Sequence, residues 1–247
     1  MSTVPAETRE SAGESARGHK HLTNEWPAHA APSNTHARVW ELVQARMGDL
    51  AGKRVLDVPC GAGAFSARLA ASGADLRALD VAAVEPFLAP REARALADAN
   101  LGLPFAAGEF DAVVTIEGIE HLENPSSFLR ECARVTRPGG WIFLTTPNVD
   151  SLRSRKYVAA YGFHRYFGPV NDTDKDSGHL HPIDMIFMRG ALRRAGLEIA
   201  EVTVNRIHKK SWWTEWLRPR LTRKLPAYMT GEVPFYGDAI IYVLRKP

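Results

Sequence analysis

The chain has 247 residues, 45% hydrophobic and 24% charged, as in ordinary globular proteins, and is long enough for one large domain with a buried core. Two cysteines, Cys60 and Cys132, exclude a disulfide framework, no Cys/His spacing fits a zinc site, and no apolar run is long enough to span a bilayer. The net charge of +3 is too small to argue for nucleic acid, and the polar N-terminus lacks a secretory signal, so the expected location is cytoplasmic.

Residues 1–33 are rich in Ala, Ser, Glu, Thr and Pro and are expected to form a flexible tail ahead of a domain over 34–247. Asn34 or Thr35 caps a predicted helix through Val39, Leu42, Val43 and Met47. Residues 53–58 read as a buried strand, 64–71 as a helix, and 75–80 as a second strand. Pro86 and Pro90 allow at most a short helix over 81–92, and 94–97 suits a third strand. Residues 110–116 (FDAVVTI) form a continuous β-branched run, the mark of a parallel strand covered on both faces. A helix follows over 126–135, stopped by Pro138-Gly139-Gly140, then a strand over 141–145. A helix over 182–195 ends at Gly196, and strands over 197–204 and 239–244 close the chain. This alternation predicts an α/β, doubly wound, Rossmann-like sheet.

The most informative stretch is Val55-Leu56-Asp57-Val58-Pro59-Cys60-Gly61-Ala62-Gly63, where an apolar strand ends in an acid and turns through two glycines into a helix. Glycine permits the tight turn and close ligand approach. In an open parallel sheet ligands sit beyond the carboxyl ends of the strands, so Asp57 and Asp80, each at a strand end, are candidate ligand contacts. Asp80 either accepts from a ribose diol or merely caps the following segment. A nicotinamide cofactor is one reading of this turn. Against it, Ser66 replaces the third glycine of the dinucleotide fingerprint, and Asp57 would crowd a pyrophosphate with negative charge. A ligand with positive centres and no phosphate, such as S-adenosyl-L-methionine, suits the position better.

The succession VLDVPCGAG, LD, LPFAAGEFDAVV, IEHLENP and RPGGWIFLTTPN resembles class I S-adenosylmethionine-dependent methyltransferases. Within them it is most similar to the branch holding ubiquinone-biosynthesis O-methyltransferases and small-molecule and sugar methyltransferases. The resemblance implies a seven-stranded sheet, mostly parallel with its last strand antiparallel. It also implies that Asp57 and the backbone of Pro59, Gly61 and Gly63 hold the methionine moiety, and that Asp80 takes the ribose hydroxyls. Val81 would pack beside adenine; Asp98, with Ala99 and Asn100, would accept from the adenine amino group. Ile116 and Glu117 would border the methionine end.

His121, in the IEHL run, is a candidate general base or simply a loop-fixing residue beside Glu120. His181, with His179 in GHLHP, is a second catalytic candidate, weighed against a solvated turn. No acidic cluster is convincingly spaced for a metal; Asp172, Asp174 and Asp176 alternate but lack the last ligand of a calcium loop. Cys60 reads as a packed turn residue.

Lid-like insertions are expected over 150–182 and 208–235. The first mixes Tyr157, Tyr161, Phe163, Tyr166 and Phe167 with Arg153, Arg155, Lys156 and Arg165. The second, with Trp212, Trp213 and Trp216 among basic residues, is either a helix packed on the sheet edge or a peripheral membrane contact over 211–224. The expected reaction is O-methylation of a small molecule, sugar or lipid-linked intermediate, with no nucleic acid partner. The rivals are a nicotinamide-dependent oxidoreductase and a catalytically silent methyltransferase-like binding protein.

Overall fold

A computed structural model describes residues 34–168, 178–206 and 236–247. The expected tail over 1–33, the Asp172–Asp176 alternation and the Trp-rich segment over 211–224 lie outside the described residues. Helix α1 (Thr35–Met47) leads into strand β1 (Arg54–Asp57), helix α2 (Ala64–Ala71), strand β2 (Asp75–Asp80), strand β3 (Arg94–Leu96) and strand β4 (Phe110–Thr115). Helix α3 (Pro125–Val135), strand β5 (Thr136–Pro147), helix α4 (Leu152–Tyr161), helix α5 (Met185–Ala195), strand β6 (Glu198–Val204) and strand β7 (Ala239–Arg245) follow.

The strands form one sheet in the order β3-β2-β1-β4-β5-β7-β6. The first five pair in parallel, while β7 runs antiparallel to both β5 and β6. Alternate side chains enter two cores. Leu56, Val113, Ile142, Leu144 and Tyr242 face α3 and α5; Val55, Ala112, Val114, Phe143 and Ile241 face α1 and α2. Burial on both faces is why these strands read as unbroken apolar runs. Strand order reverses between β1 and β4, and their carboxyl ends open the crevice where such sheets take ligands.

Two element boundaries and one whole element differ from expectation. Pro138-Gly139-Gly140 does not separate helix from strand: β5 already pairs at Thr136 with Phe110, and the next pair is Ala112 with Trp141. The proline sits in that bulge, where its missing N–H breaks no ladder bond. Helix α5 begins at Met185 rather than at residue 182 because Asp184 caps it, accepting from Phe187 N at 2.7 Å. Helix α4 was not expected. Ser151 caps it through Ser154 N at 3.1 Å, and Gly162 ends it at φ 84°, but its mostly exposed residues carry no apolar stripe.

Candidate active site at the carboxyl edge

The turn after β1 is held by its own backbone: Gly63 N donates to Cys60 O at 2.8 Å and Cys60 N to Leu79 O at 2.9 Å. Its two glycines do different work. Both have positive φ, but a Cβ on Gly63 would stand 2.6 Å from Phe87 Cε2, whereas none of the described atoms lies within 4 Å of that position on Gly61. Gly63 lets Phe87 pack; Gly61 leaves the backbone open to a ligand. Pro59 meets the turn after β4, where its ring fills the space a Gly118 side chain would need.

Asp57 is buried beneath this turn, and Ser66 Oγ donates to its Oδ2 at 2.5 Å. Burial lifts its carboxyl from 3.8 to about 7; the Ser66 hydrogen bond opposes the rise and nearby Asp80 adds to it. The serine that replaces a fingerprint glycine is therefore the carboxylate's partner. Asp80 ends β2 and receives Gly61 N on Oδ2 at 2.7 Å and Ala82 N on Oδ1 at 3.3 Å. Burial raises its carboxyl too, against the lowering by those backbone donors and by His121. Val81 beside it is 46% exposed, an apolar surface standing open at the edge.

Beyond β3, Asp98 caps a short turn with Ala99 and Asn100, accepting from Asn100 N on Oδ1 at 2.8 Å. Asn100 Oδ1 in turn accepts from Glu123 N at 2.9 Å, tying this corner to the loop after β4. At the end of β4, Ile116 turns its side chain into the core on the α1–α2 face, leaving its backbone at the edge. Glu117 adopts φ 49°, a left-handed conformation that a side chain makes unfavourable. It is held by Thr145 at the end of β5: Glu117 N donates to Thr145 Oγ1 at 3.0 Å, and that hydroxyl donates to Glu117 Oε1 at 2.7 Å. Burial raises the Glu117 carboxyl to about 7. Read across the sheet, the adjacent strands β3, β2, β1 and β4 therefore present Asp98, Asp80, Asp57 and Glu117 at or just past their carboxyl ends.

The loop after β4 brings the histidines in. Glu120 is fully buried; Thr146 Oγ1 donates to its Oε2 at 3.1 Å, while Oε1 has no hydrogen-bond partner among the described residues. Burial, and then Glu117, hold its carboxyl well above the ordinary range. Residues 178–181 cross this loop, with Leu180 N donating to Glu120 O at 2.8 Å. His121 Nδ1 lies 3.0 Å from Gly178 O, and His179 Nδ1 lies 3.0 Å from Tyr166 O. A carbonyl only accepts, so each Nδ1 carries the proton and each Nε2 is the ring's acceptor. The two rings meet edge to face with centroids 4.7 Å apart.

Glu120, His121 and His179 each offer a ligand atom, all within 4.8 Å of one another. Residue spacing alone does not reveal this cluster, since its third member depends on where residues 178–181 cross. His181, expected in the catalytic set, lies outside it. Its Nε2 meets Glu123 O at 3.2 Å, and it lines a separate cleft with Pro125, Ile183 and Phe187. Cys60 is buried and its thiol pushed well up by that burial, consistent with a packed residue.

A family model described as a methyltransferase domain matches residues 18–202. Two curated relatives are ubiquinone biosynthesis O-methyltransferases. That of Bordetella avium is 38% identical over 44% of this chain and 48% of its own; that of Thiobacillus denitrificans is 34% identical over 62% and 68%. The chain spans about half the length of most of the curated relatives it matches. Among solved structures, an S-adenosylmethionine dependent methyltransferase from Mesorhizobium loti aligns with 83% of this chain and 96% of its own, at TM-score 0.51 and 17% identity. That likeness is one of fold. No described helix is long and apolar enough to cross a membrane.

Proposed function

This chain belongs to the methyltransferase-domain family of S-adenosylmethionine-dependent enzymes, and we propose that it methylates a hydroxyl of a small molecule, a sugar or a lipid-linked intermediate. The row of acids across four adjacent strands carries the reading of the cofactor cleft. A ligand with two positive centres and a ribose diol is matched by such a row, and a pyrophosphate is repelled by it. When bound, S-adenosylmethionine supplies a methyl group on an electrophilic sulfonium. Asp57 and the open backbone at Gly61 bind its methionine end, with Glu117 at the rim. Asp80 accepts from the ribose hydroxyls, and Val81 and Asp98 flank the adenine. These contacts fix the direction of approach, and alignment supplies much of the rate. His121, with Nδ1 committed to Gly178 O, presents Nε2 to take the acceptor's proton.

The test begins with binding. S-adenosylhomocysteine should raise the melting temperature, while NADH should not. Asp80→Ala should weaken S-adenosylhomocysteine at least tenfold by calorimetry, since charge-assisted hydrogen bonds to a diol are lost. Stabilisation by NADH alone would favour hydride transfer, and undiminished affinity in the variant would remove the ribose role.

One observation favours a second reading of His121. The buried Oε1 of Glu120, which has no partner among the described residues, and two histidines whose Nδ1 atoms are tied to carbonyls fit a divalent cation, which would help ionise an acceptor hydroxyl. Under this reading a chelator silences turnover, added divalent ions restore it, and His179→Ala lowers the bound metal measured by plasma mass spectrometry. Turnover indifferent to chelator leaves the histidine as a base.

A further inference from the structure

On the β5–β7–β6 side of the same edge, three arginines converge on one carboxylate. Asp238, immediately before β7, is only 5% exposed. Its Oδ1 accepts from Arg165 Nη1 at 2.7 Å and lies 3.5 Å from Arg153 Nη1; its Oδ2 accepts from Arg206 Nη2. The arginines come from separate places: the first turn of α4, the loop after it, and the residue range just past β6. The carboxylate's backbone is anchored. Asp238 N donates to Asn205 Oδ1 at 3.1 Å, and Asn148 N, at the end of β5, donates to Asp238 O at 2.8 Å. Arg165 is anchored as well, its N donating to Ser154 Oγ at 3.3 Å and its guanidinium lying 4.4 Å from the centre of the Tyr166 ring.

Two features of this arrangement oppose stability. Arg153 and Arg165 both address Oδ1 of Asp238, two guanidinium groups at one carboxylate oxygen, so they repel one another. Arg153 also stands in the first turn of α4, which holds no acid, at the helix end whose dipole disfavours a cation. An incoming anion relieves both. Arg153 has a side-chain exposure of 56%, so its guanidinium is within reach of one.

The cluster adjoins the histidine pair. Tyr166, whose ring lies under the Arg165 guanidinium, accepts on its carbonyl oxygen from His179 Nδ1 at 3.0 Å, and that imidazole meets the His121 ring. Adenine's expected contacts at Val81 and Asp98 follow β2 and β3, at the opposite side of the sheet.

We propose that Arg153 and Arg165 receive an oxyanion, a carboxylate or a phosphate, carried by the methyl acceptor. The guanidinium fork matches the geometry of both groups. This rests on the reading of the His121 edge as the place of methyl transfer, and it narrows the acceptor to a hydroxyl on an anionic molecule.

Calorimetry on the full chain tests it with three probes: inorganic phosphate, dihydroxybenzoate, and catechol as the uncharged control. At least one anion should bind, and which one does assigns the source. Arg153→Gln, at an exposed position, and Arg165→Gln should each weaken that anion about tenfold, while Asp238→Asn should tighten it by removing the internal counter-charge. Neither anion binding, arginine variants that bind as the wild type does, or catechol binding as tightly as dihydroxybenzoate would overturn the proposal. S-adenosylhomocysteine titrated into the same samples separates the two readings. Its failure beside an arginine-dependent anion rejects the methyltransferase assignment, and its binding without such an anion rejects the arginine site.

Discussion

Asp57→Asn should make the cofactor-free protein more stable at pH 8 while weakening its hold on S-adenosylmethionine at least tenfold. The carboxyl rises from 3.8 to about 7 through burial, so between those values the folded chain keeps a proton that the unfolded chain has released. Stability from this group is therefore greatest in acid, falls as pH rises from about 4 to 7, and is lowest above 7. At about 1.4 kcal/mol per tenfold in the equilibrium, the ionised form carries a penalty on the order of 4 kcal/mol. Asparagine has no charge to bury, and its Oδ1 can still accept from Ser66 Oγ. The melting temperature should rise by about 5 °C or more at pH 8 and differ little near pH 4.

The ligand side has the opposite sign. A cationic methionine end compensates the buried charge, and the amide offers it no counter-ion. Scanning calorimetry at the two pH values and titration with S-adenosylmethionine measure both halves. A variant of unchanged affinity, or one that melts lower at pH 8, would make Asp57 a structural partner of Ser66 and nothing more.

How much of this was legible in the sequence follows the range of the interactions. The strands of residues 53–58, 75–80 and 110–116 declared themselves because burial on both faces demands an unbroken apolar run. The acids and the glycine turn were equally legible, being local to strand ends. Helix α4 was missed although Ser151 and Gly162 mark its ends, because its surface is aromatic and cationic without an apolar stripe. Pro138-Gly139-Gly140 misled for the opposite reason. A local breaker was absorbed by pairing on both sides, with β4 across the bulge and with Lys246 through Gly139 and Gly140. The Glu120–His121–His179 cluster and the arginines around Asp238 were illegible because each joins segments far apart in the chain. No local rule weights His179 over His181, or picks Asp238 from among the acids.

His121→Ala should lower kcat by about 10² to 10⁴, the usual worth of a positioned base, and leave affinity for S-adenosylhomocysteine within about twofold. The alanine variant also removes the hydrogen bond from Nδ1 to Gly178 O, which pins residues 178–181 over the site. His121→Asn separates the two losses. Its side-chain amide can still donate toward that carbonyl but has no counterpart of Nε2. If Nε2 takes the acceptor's proton, both variants lose turnover equally, the asparagine variant melts with the wild type, and the acid limb of the pH–rate profile disappears from the residual activity. If the asparagine variant recovers turnover, His121 serves to hold the loop, and the proton leaves by another route. A hydroxyl acceptor needs that proton removed, whereas an already ionised one does not. Assayed with a phenol and a more acidic nitrophenol, the wild type should therefore lose far more to His121→Asn on the phenol.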